Sequence, residues 1–442
     1  MIGRHFTGFL AGAFLCALPL RAEPEVVLLS PHWQGIRHET SLAFSAWHQQ
    51  KYGSPVTLRW RDLGGGTSQM VRFIRSEFNQ HPEGIGIDVF YGGGVDPYLD
   101  LKAAGLLQRY DPPAGLLDSI PESVAGIPLY DPDRQWFGAA LSGFGILTNE
   151  KVRARLGLPE AKTWADLADP RLRGWVSSAD PRQSGSVLAM YELILQAYGW
   201  ERGWNILAGI SGNLRSFLKN GGAPPKEASL GEVAYALAID VYGWTQVAYA
   251  GKDAMTFVLP EGVTTVSPDS IALLKNPPHQ VYAERFLEFV LSSAGQELWM
   301  LPRGARGGAV KFDINRMAVA PALYSRLAAT SPIQANPFTA RFDFHYSPEI
   351  GAKRRGALSG LLGAVFVDLH PLCREAWSAV LASPRRDELL PRFLAPPVTE
   401  AEVLRIAAEE WKTPELRNRR VNQWQRDAAA LYRSLIIESN RL

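Results

Sequence analysis

Cysteine is scarce in this sequence: there are two in 442 residues, and Cys16 falls in a segment that reads as a removable leader. Cys373 would then stand alone, so no internal disulfide can staple the mature chain. A chain of this length can bury enough core to do without one. An excess of one charge is missing too. The formal net charge is +2 on 46 basic and 44 acidic residues, and Arg4 and Arg21 both belong to the leader, which leaves the remainder close to neutral. Nucleic-acid or membrane-surface binding needs a concentrated basic face, and none is present. Beyond the leader, no apolar run reaches membrane-spanning length without charges, so a soluble mature protein is expected. The chain has no Gly-x-Ser-x-Gly elbow, no phosphate loop closing on Gly-Lys-Ser/Thr, and no His-Glu-x-x-His helix. His38-Glu39 lacks its second histidine. These absences point away from an enzyme and from a bound cofactor or metal. Solenoid-length repeats and low-complexity tracts are also missing.

What is present begins with the leader. Arg4 supplies a positive start, Phe6 to Leu20 is mostly apolar, and Leu20-Arg21-Ala22 ends in the small residue that cleavage requires. Ala13-Phe14-Leu15 is bulky where lipidation of Cys16 would need small residues. Cleavage after Ala22 without a lipid is expected, which places the mature protein in the periplasm.

Strands and helices then alternate. Val26 to Leu29 is an apolar strand. Ile36, Ala43, Phe44 and Trp47 share a helical face that Gly53 ends, and Val56 to Trp60 alternates as a strand. Gly64-Gly65-Gly66-Thr67-Ser68 turns into a second helix with Met70, Val71, Ile74 and Phe78 inward. Ile85 to Phe90 reads as a third strand, closed by Gly92-Gly93-Gly94. This rhythm predicts an α/β domain with a largely parallel sheet, whose strand exits collect ligand. A second unit begins near Asn149. Its loop Asp180 to Gly185 leads into a helix bearing Val187, Met190, Tyr191 and Ile194. Gly231 to Trp244 reads as a helix passing into a strand, and Ala283 to Leu298 as one amphipathic helix. After residue 330 prolines cluster and long helical patterns follow, including Glu400 to Trp411 and Asn422 to Ile437. Most of the 13 tryptophans are expected to fill core.

Several segments, in order, carry a resemblance: Ser30-Pro31-His32-Trp33, Gly64-Gly65-Gly66, Asp88 to Gly94, Ser184-Gly185-Ser186, Gly231-Glu232-Val233 and Val266 to Leu273. The chain resembles the extracellular solute-binding proteins of ABC importers, in the group that includes ferric-ion and phosphorylated-compound binders. The resemblance implies a type II periplasmic-binding-protein fold. Two α/β lobes are joined by crossing strands near Leu141–Ile146 and Val258–Val266, and solute sits in the cleft between them. The implied division is a leader (1–22), lobe 1 (23–143), lobe 2 (144–260), the return of lobe 1 (261–330) and a helical C-terminal extension (331–442). The extension is expected to carry no ligand. The implied partner is a membrane permease, and the protein is expected to act as a monomer.

The candidate ligand contacts fall at the strand exits. Thr67 and Ser68, after Gly65 and Gly66, open a helix whose first N–H groups have no intrahelical acceptor. A plain N-cap has the same look, but the glycines let a ligand approach the backbone. Ser184, Gly185 and Ser186 repeat the device in the second unit, so two helix starts would close on an anion. His32 and Trp33 follow the first strand, and Gly93 and Gly94 the third. Asp240 and Tyr242 complete the set. Ferric relatives carry two adjacent tyrosines in that region, whereas here Gly243 stands beside Tyr242. A small anionic solute, phosphate- or phosphonate-bearing, is therefore expected. A ferric-ion receptor and a sensor for a membrane kinase stay open as alternatives.

Overall fold

The computed structural model describes residues 24–440 except 252, 332, 334, 335 and 340–343. The expected leader, with Cys16, lies outside the described residues.

In chain order, the first elements are β1 (Glu25–Leu29), α1 (Gln34–Tyr52), β2 (Thr57–Arg61), α2 (Thr67–Gln80), β3 (Val89–Tyr91) and α3 (Asp96–Ala103). Parallel pairing puts β1 between β2 and β3. Helix α1 ends at Gly53, whose φ of 80° a residue with a Cβ would resist. Helix α2 buries Met70, Val71, Ile74 and Phe78, a stripe at helical spacing. The third strand is shorter than its apolar run, because Gly86 sits at φ 69° and bends the chain before Val89.

The short strands β4 (Leu107–Gln108), β5 (Ser123–Val124) and β6 (Ile127–Pro128) lead to β7 (Phe137–Asn149), in which all 13 residues are buried. The second half of the molecule follows. It comprises α4 (Glu150–Leu156), β8 (Val176–Ala179), α5 (Gly185–Tyr198), α6 (Trp200–Asn213), β9 (Leu214–Leu218), α7 (Ala223–Ser229), β10 (Tyr235–Ile239), α8 (Asp240–Ala250) and β11 (Met255–Val258). Here the 231–244 stretch runs from strand to helix, the reverse of the expected order. A short apolar run does not by itself distinguish the two. The slot beside β7 goes to Tyr235–Ile239, which pairs with it antiparallel.

Strand β12 (Val266–Leu274) returns to the first half and pairs with β7, β3 and β4. The sheet therefore runs β2-β1-β3-β12-β7-β10-β8-β9. Residues 137–143 of β7 pair with β12, while 144–149 pair with β10 and β11. One strand thus belongs to both halves. This is the two-lobed fold of type II periplasmic binding proteins.

Helices α9 (Gln280–Leu291) and α10 (Ser293–Met300) replace the single expected helix. Ser292 separates them, and its hydroxyl accepts the Gly295 N–H at 3.4 Å as a new N-cap. After α11 (Ala322–Arg326) the helical C-terminal part holds α12 (Pro348–Leu362), a π-turn at Gly363–Val367, α13 (His370–Ala382), α14 (Arg386–Leu394), α15 (Glu400–Glu409) and α16 (Pro414–Ser439). Helix α13 packs on α6 and α16, and α12 on α15 and α3. Trp204, Phe366, Trp377 and Tyr432 join one hydrophobic core with the second half. Buried Cys373 sits in it, its thiol pushed up to about 12 by burial. Among the described residues no single helix is long and apolar enough to cross a membrane.

Candidate functional site

Strand exits and helix starts from both halves surround a cavity of about 330 Å³, at the lower end of the size range for small-molecule sites. Of the residues expected from the sequence, His32, Trp33, Gly65, Gly66, Thr67, Gly93, Gly94, Ser184, Gly185, Ser186 and Tyr242 all line it.

Its floor is a network of buried charges. Asp269 lies on β12, where the register against β7 shifts between Asp269 and Ser270. Such a bulge re-aims a side chain. The Asp269 carboxylate accepts from Arg316, from His32 Nε2 at 2.8 Å, from the Gly93 N–H, and from the Gly94 N–H at 3.3 Å. Arg316 also donates to the Ser142 hydroxyl on β7, so its guanidinium joins both crossing strands. The Arg316 backbone is held in turn: its N–H donates to Trp299 O at 3.0 Å, and the Leu141 N–H donates to Met317 O at 2.7 Å.

The electrostatics of the floor follow from burial. Desolvation pushes the Asp269 carboxyl up, but Arg316 and His32 outweigh it and hold the group below the usual carboxylate range. For His32 desolvation wins over Asp269 and lowers the pKa, so the imidazole is neutral at pH 7. With its proton on Nε2, facing Asp269, the Nδ1 lone pair is left. His32 Nδ1, Trp33 Nε1 and Arg316 Nε are buried without a hydrogen-bond partner.

The rim carries two helix starts. Helix α2 begins at Thr67 behind Gly66, with no side-chain cap. Helix α5 begins at Gly185 behind Ser184, whose hydroxyl accepts the Val187 N–H at 3.4 Å and lies 3.2 Å from Ser186 Oγ. The two starts touch: a Cβ built on Gly185 would lie 2.6 Å from Thr67 Cβ. Gly93, at φ 104°, faces Thr67 just as closely, so a side chain there would strain its own lobe, while one at Gly185 would push the two helix starts apart. One formal charge stands at the mouth among the lining residues, Asp62, which is largely exposed and 3.5 Å from Arg37.

Two expected contacts do not reach the cavity. Ser68 is one helical step beyond Thr67, which turns its hydroxyl toward α12, where Arg355 Nη2 donates to it at 3.4 Å. Asp240, the first residue of α8, is fully buried behind the lining, and its carboxylate accepts the Val241 N–H at 2.7 Å. Burial pushes its carboxyl up to about 7, against the pull of Arg316.

The sequence reading missed Ser142, Phe144, Asn220, Gly221, Asp269 and Arg316, all of which line the cavity. One signal was available. An aspartate inside β12, a strand buried at every position, must have a cationic partner. Among the described residues, no three His, Cys, Asp or Glu side chains are grouped to hold a metal ion.

Residues 86–305 match the family model described as bacterial extracellular solute-binding protein. The phosphoglycerate transport regulatory protein PgtC of Salmonella typhimurium is 31% identical over 188 residues, which is 41% of this chain and 45% of that one. The match thus spans less than half the length of this relative. Among solved structures, the periplasmic binding protein AfuA of Actinobacillus pleuropneumoniae, with fructose-6-phosphate bound, superposes with a TM-score of 0.64 at 20% identity. It covers 79% of this chain and 100% of its own. Iron-bound HitA of Pseudomonas aeruginosa gives a TM-score of 0.50 at 24% identity, over 62% and 83%. At these identities both establish the fold alone.

Proposed function

The chain belongs to the bacterial extracellular solute-binding proteins, and from that premise we propose that it is a periplasmic, non-enzymatic receptor for a small phosphate- or phosphonate-bearing solute. The solute binds between the lobes, and the closed form hands it to the permease of an ABC importer. The observation that carries this reading is the meeting of two helix starts, Thr67 and Gly185-Ser186, at one cavity. Each offers backbone N–H groups without intrahelical acceptors, the positive end of a helix dipole and hydroxyl donors. A solute bridging the two starts stabilises closure, because it bonds fully only when both are present.

The ferric alternative draws less support from the donor set. Tyr242 has Gly243 beside it, and burial raises its phenol's pKa, so a phenolate ligand is harder to form. The carboxylate of Asp269 is already spent on Arg316 and His32. A second reading, in which the closed receptor reports solute to a signalling partner, is favoured by the similarity to a transport regulatory protein.

Calorimetry against a panel of phosphate esters and ferric citrate tests the proposal, alongside native mass spectrometry of solute carried through purification. Charge-assisted hydrogen bonds contribute about 1.5–3 kcal/mol apiece. Ser186→Asp, which puts a carboxylate where the anion sits, is expected to weaken binding by roughly a hundredfold or more. Ser186→Ala keeps the backbone donors and should lose less than about tenfold. The proposal fails if Ser186→Asp binds the esters like the wild type, or if the wild type takes up iron tightly and ignores every anion.

A further inference from the structure

We infer that the C-terminal helices complete the solute cleft: Asp96 of the first lobe, gripped by Tyr346 and Arg355 of the extension, forms a clasp that positions the start of α2 against the start of α5. The inference rests on the reading that solute is held between those two starts.

The extension is anchored to the second lobe. Arg354 is fully buried, donates to Glu192 on α5 at 2.7–3.1 Å and also reaches Glu400. Trp377 Nε1 donates to Asn213 at 2.8 Å, and Trp200 Nε1 to Val398 O at 2.8 Å. Gln196 exchanges two hydrogen bonds with the Ser347 backbone, at 2.8 and 3.1 Å, and Arg182 pairs with Asp368 at 2.8 Å.

Toward the first lobe the extension reaches with α12 and the residues just before it. Tyr346 Oη donates to Asp96 Oδ2 at 2.7 Å, Arg355 Nη1 stands 3.7 Å from the same oxygen, and Arg355 Nη2 donates to Ser68. Asp96 opens α3, and Ser68 belongs to the first turn of α2. One contact therefore falls on the first turn of α2 itself, and the two at Asp96 hold the start of α3, which packs on α2. Asp96, Tyr346 and Arg355 also line a second, smaller cavity with Ala189 and Leu193 of α5, and that cavity shares Gly93 and Gly94 with the main one. On this side the wall between the lobes is the extension itself.

Separating the lobes would return Asp96 to water and break all three polar contacts at once, whereas the anchors on α5 and α6 would travel intact. The clasp therefore acts on the balance between closed and open forms and leaves each lobe's own fold alone. In the closed form the carboxylate is buried with its Oδ1 unpartnered, and burial pushes its pKa up to about 6 against the opposing pull of Arg355 and Tyr346. Its partners only partly offset its desolvation, so loss of either one weighs directly on closure.

The test uses the full chain carrying Tyr346→Phe, Arg355→Gln, or both. Small-angle X-ray scattering gives the radius of gyration without solute, and stopped-flow fluorescence gives association and dissociation rates, with fructose 6-phosphate as the probe. The ligand-free wild type should be compact and the double variant more expanded. Dissociation of the probe should quicken by roughly tenfold, with association and the thermal midpoint little changed, because a smaller fraction of molecules is closed. Tyr346→Phe removes a single oxygen and carries the test if Arg355→Gln does not fold. Variants that scatter and release the probe like the wild type overturn the clasp. If the probe does not bind the wild type, the phosphate reading is what suffers, and scattering alone still decides the clasp.

Discussion

The floor and the rim of the cavity are built from opposite materials. At the floor the strong charges are spent on each other: Arg316 holds Asp269 and Ser142, and Asp269 also holds the N–H groups of Gly93 and Gly94. At the rim, Thr67 and Ser184–Ser186 offer neutral dipoles and hydroxyls. The division has a physical reason. A buried arginine kept free for an anion would be an unpaired charge in the empty protein, costing several kcal/mol. A helix start can wait with its N–H groups open at little cost, since those groups have no intrahelical partner in any case. Charge here builds the wall, and dipoles are left for the solute.

Cutting the floor should therefore cost stability first. Arg316→Met leaves Asp269 buried without its guanidinium, and unfolding in denaturant should show a loss of about 3–5 kcal/mol. If the variant unfolds like the wild type but no longer binds phosphate esters, Arg316 is a solute contact and the division is reversed. At the rim the expectation is the opposite. Gly185→Val pushes against Thr67 across the cleft, so calorimetry should find affinity for the esters down by about tenfold or more, with the unfolding free energy within about 1 kcal/mol. A further test concerns Asp240, the carboxylate behind the floor whose desolvation Arg316 opposes. Its folded pKa of about 7 lies above its ordinary value, so folding takes up a proton. That contribution is whole below about pH 4 and is lost as pH rises toward 7. Between pH 5 and 8 the wild type should lose more stability than Asp240→Asn; equal slopes would mean that burial does not govern this group.

The sequence made the rim legible and left the floor dark. Glycines beside Thr67, and serines flanking Gly185, mark helix starts through local rules of capping and backbone freedom. Those rules operate over a few residues and can be read in one line of sequence. They also mislead within that range: Ser68 shares the motif, but one residue of helical rotation sends it to Arg355. Arg316 reaches the floor only because Leu141 and Trp299 bond its neighbourhood into place, and no local pattern announces such a partner. Asp269 sat in plain view within an apolar strand, yet its role depends on a bulge that appears only once β12 is paired. The same holds for 231–244, where tertiary pairing with β7 decided strand over helix.

The sharing of β7 between the two half-sheets also bears on the order in which the chain can assemble. The second half-sheet, from the end of β7 to β11, is one uninterrupted stretch, so its pairings can close without waiting for later residues. The first half-sheet must wait, because Tyr91 meets its neighbour only when Ile271 arrives. Pairing across such sequence distances is slow, and until it happens β3 presents an open edge to other chains. That edge is covered once residues 266–274 are paired, whereas the apolar face of α6 stays open until the C-terminal helices pack on it.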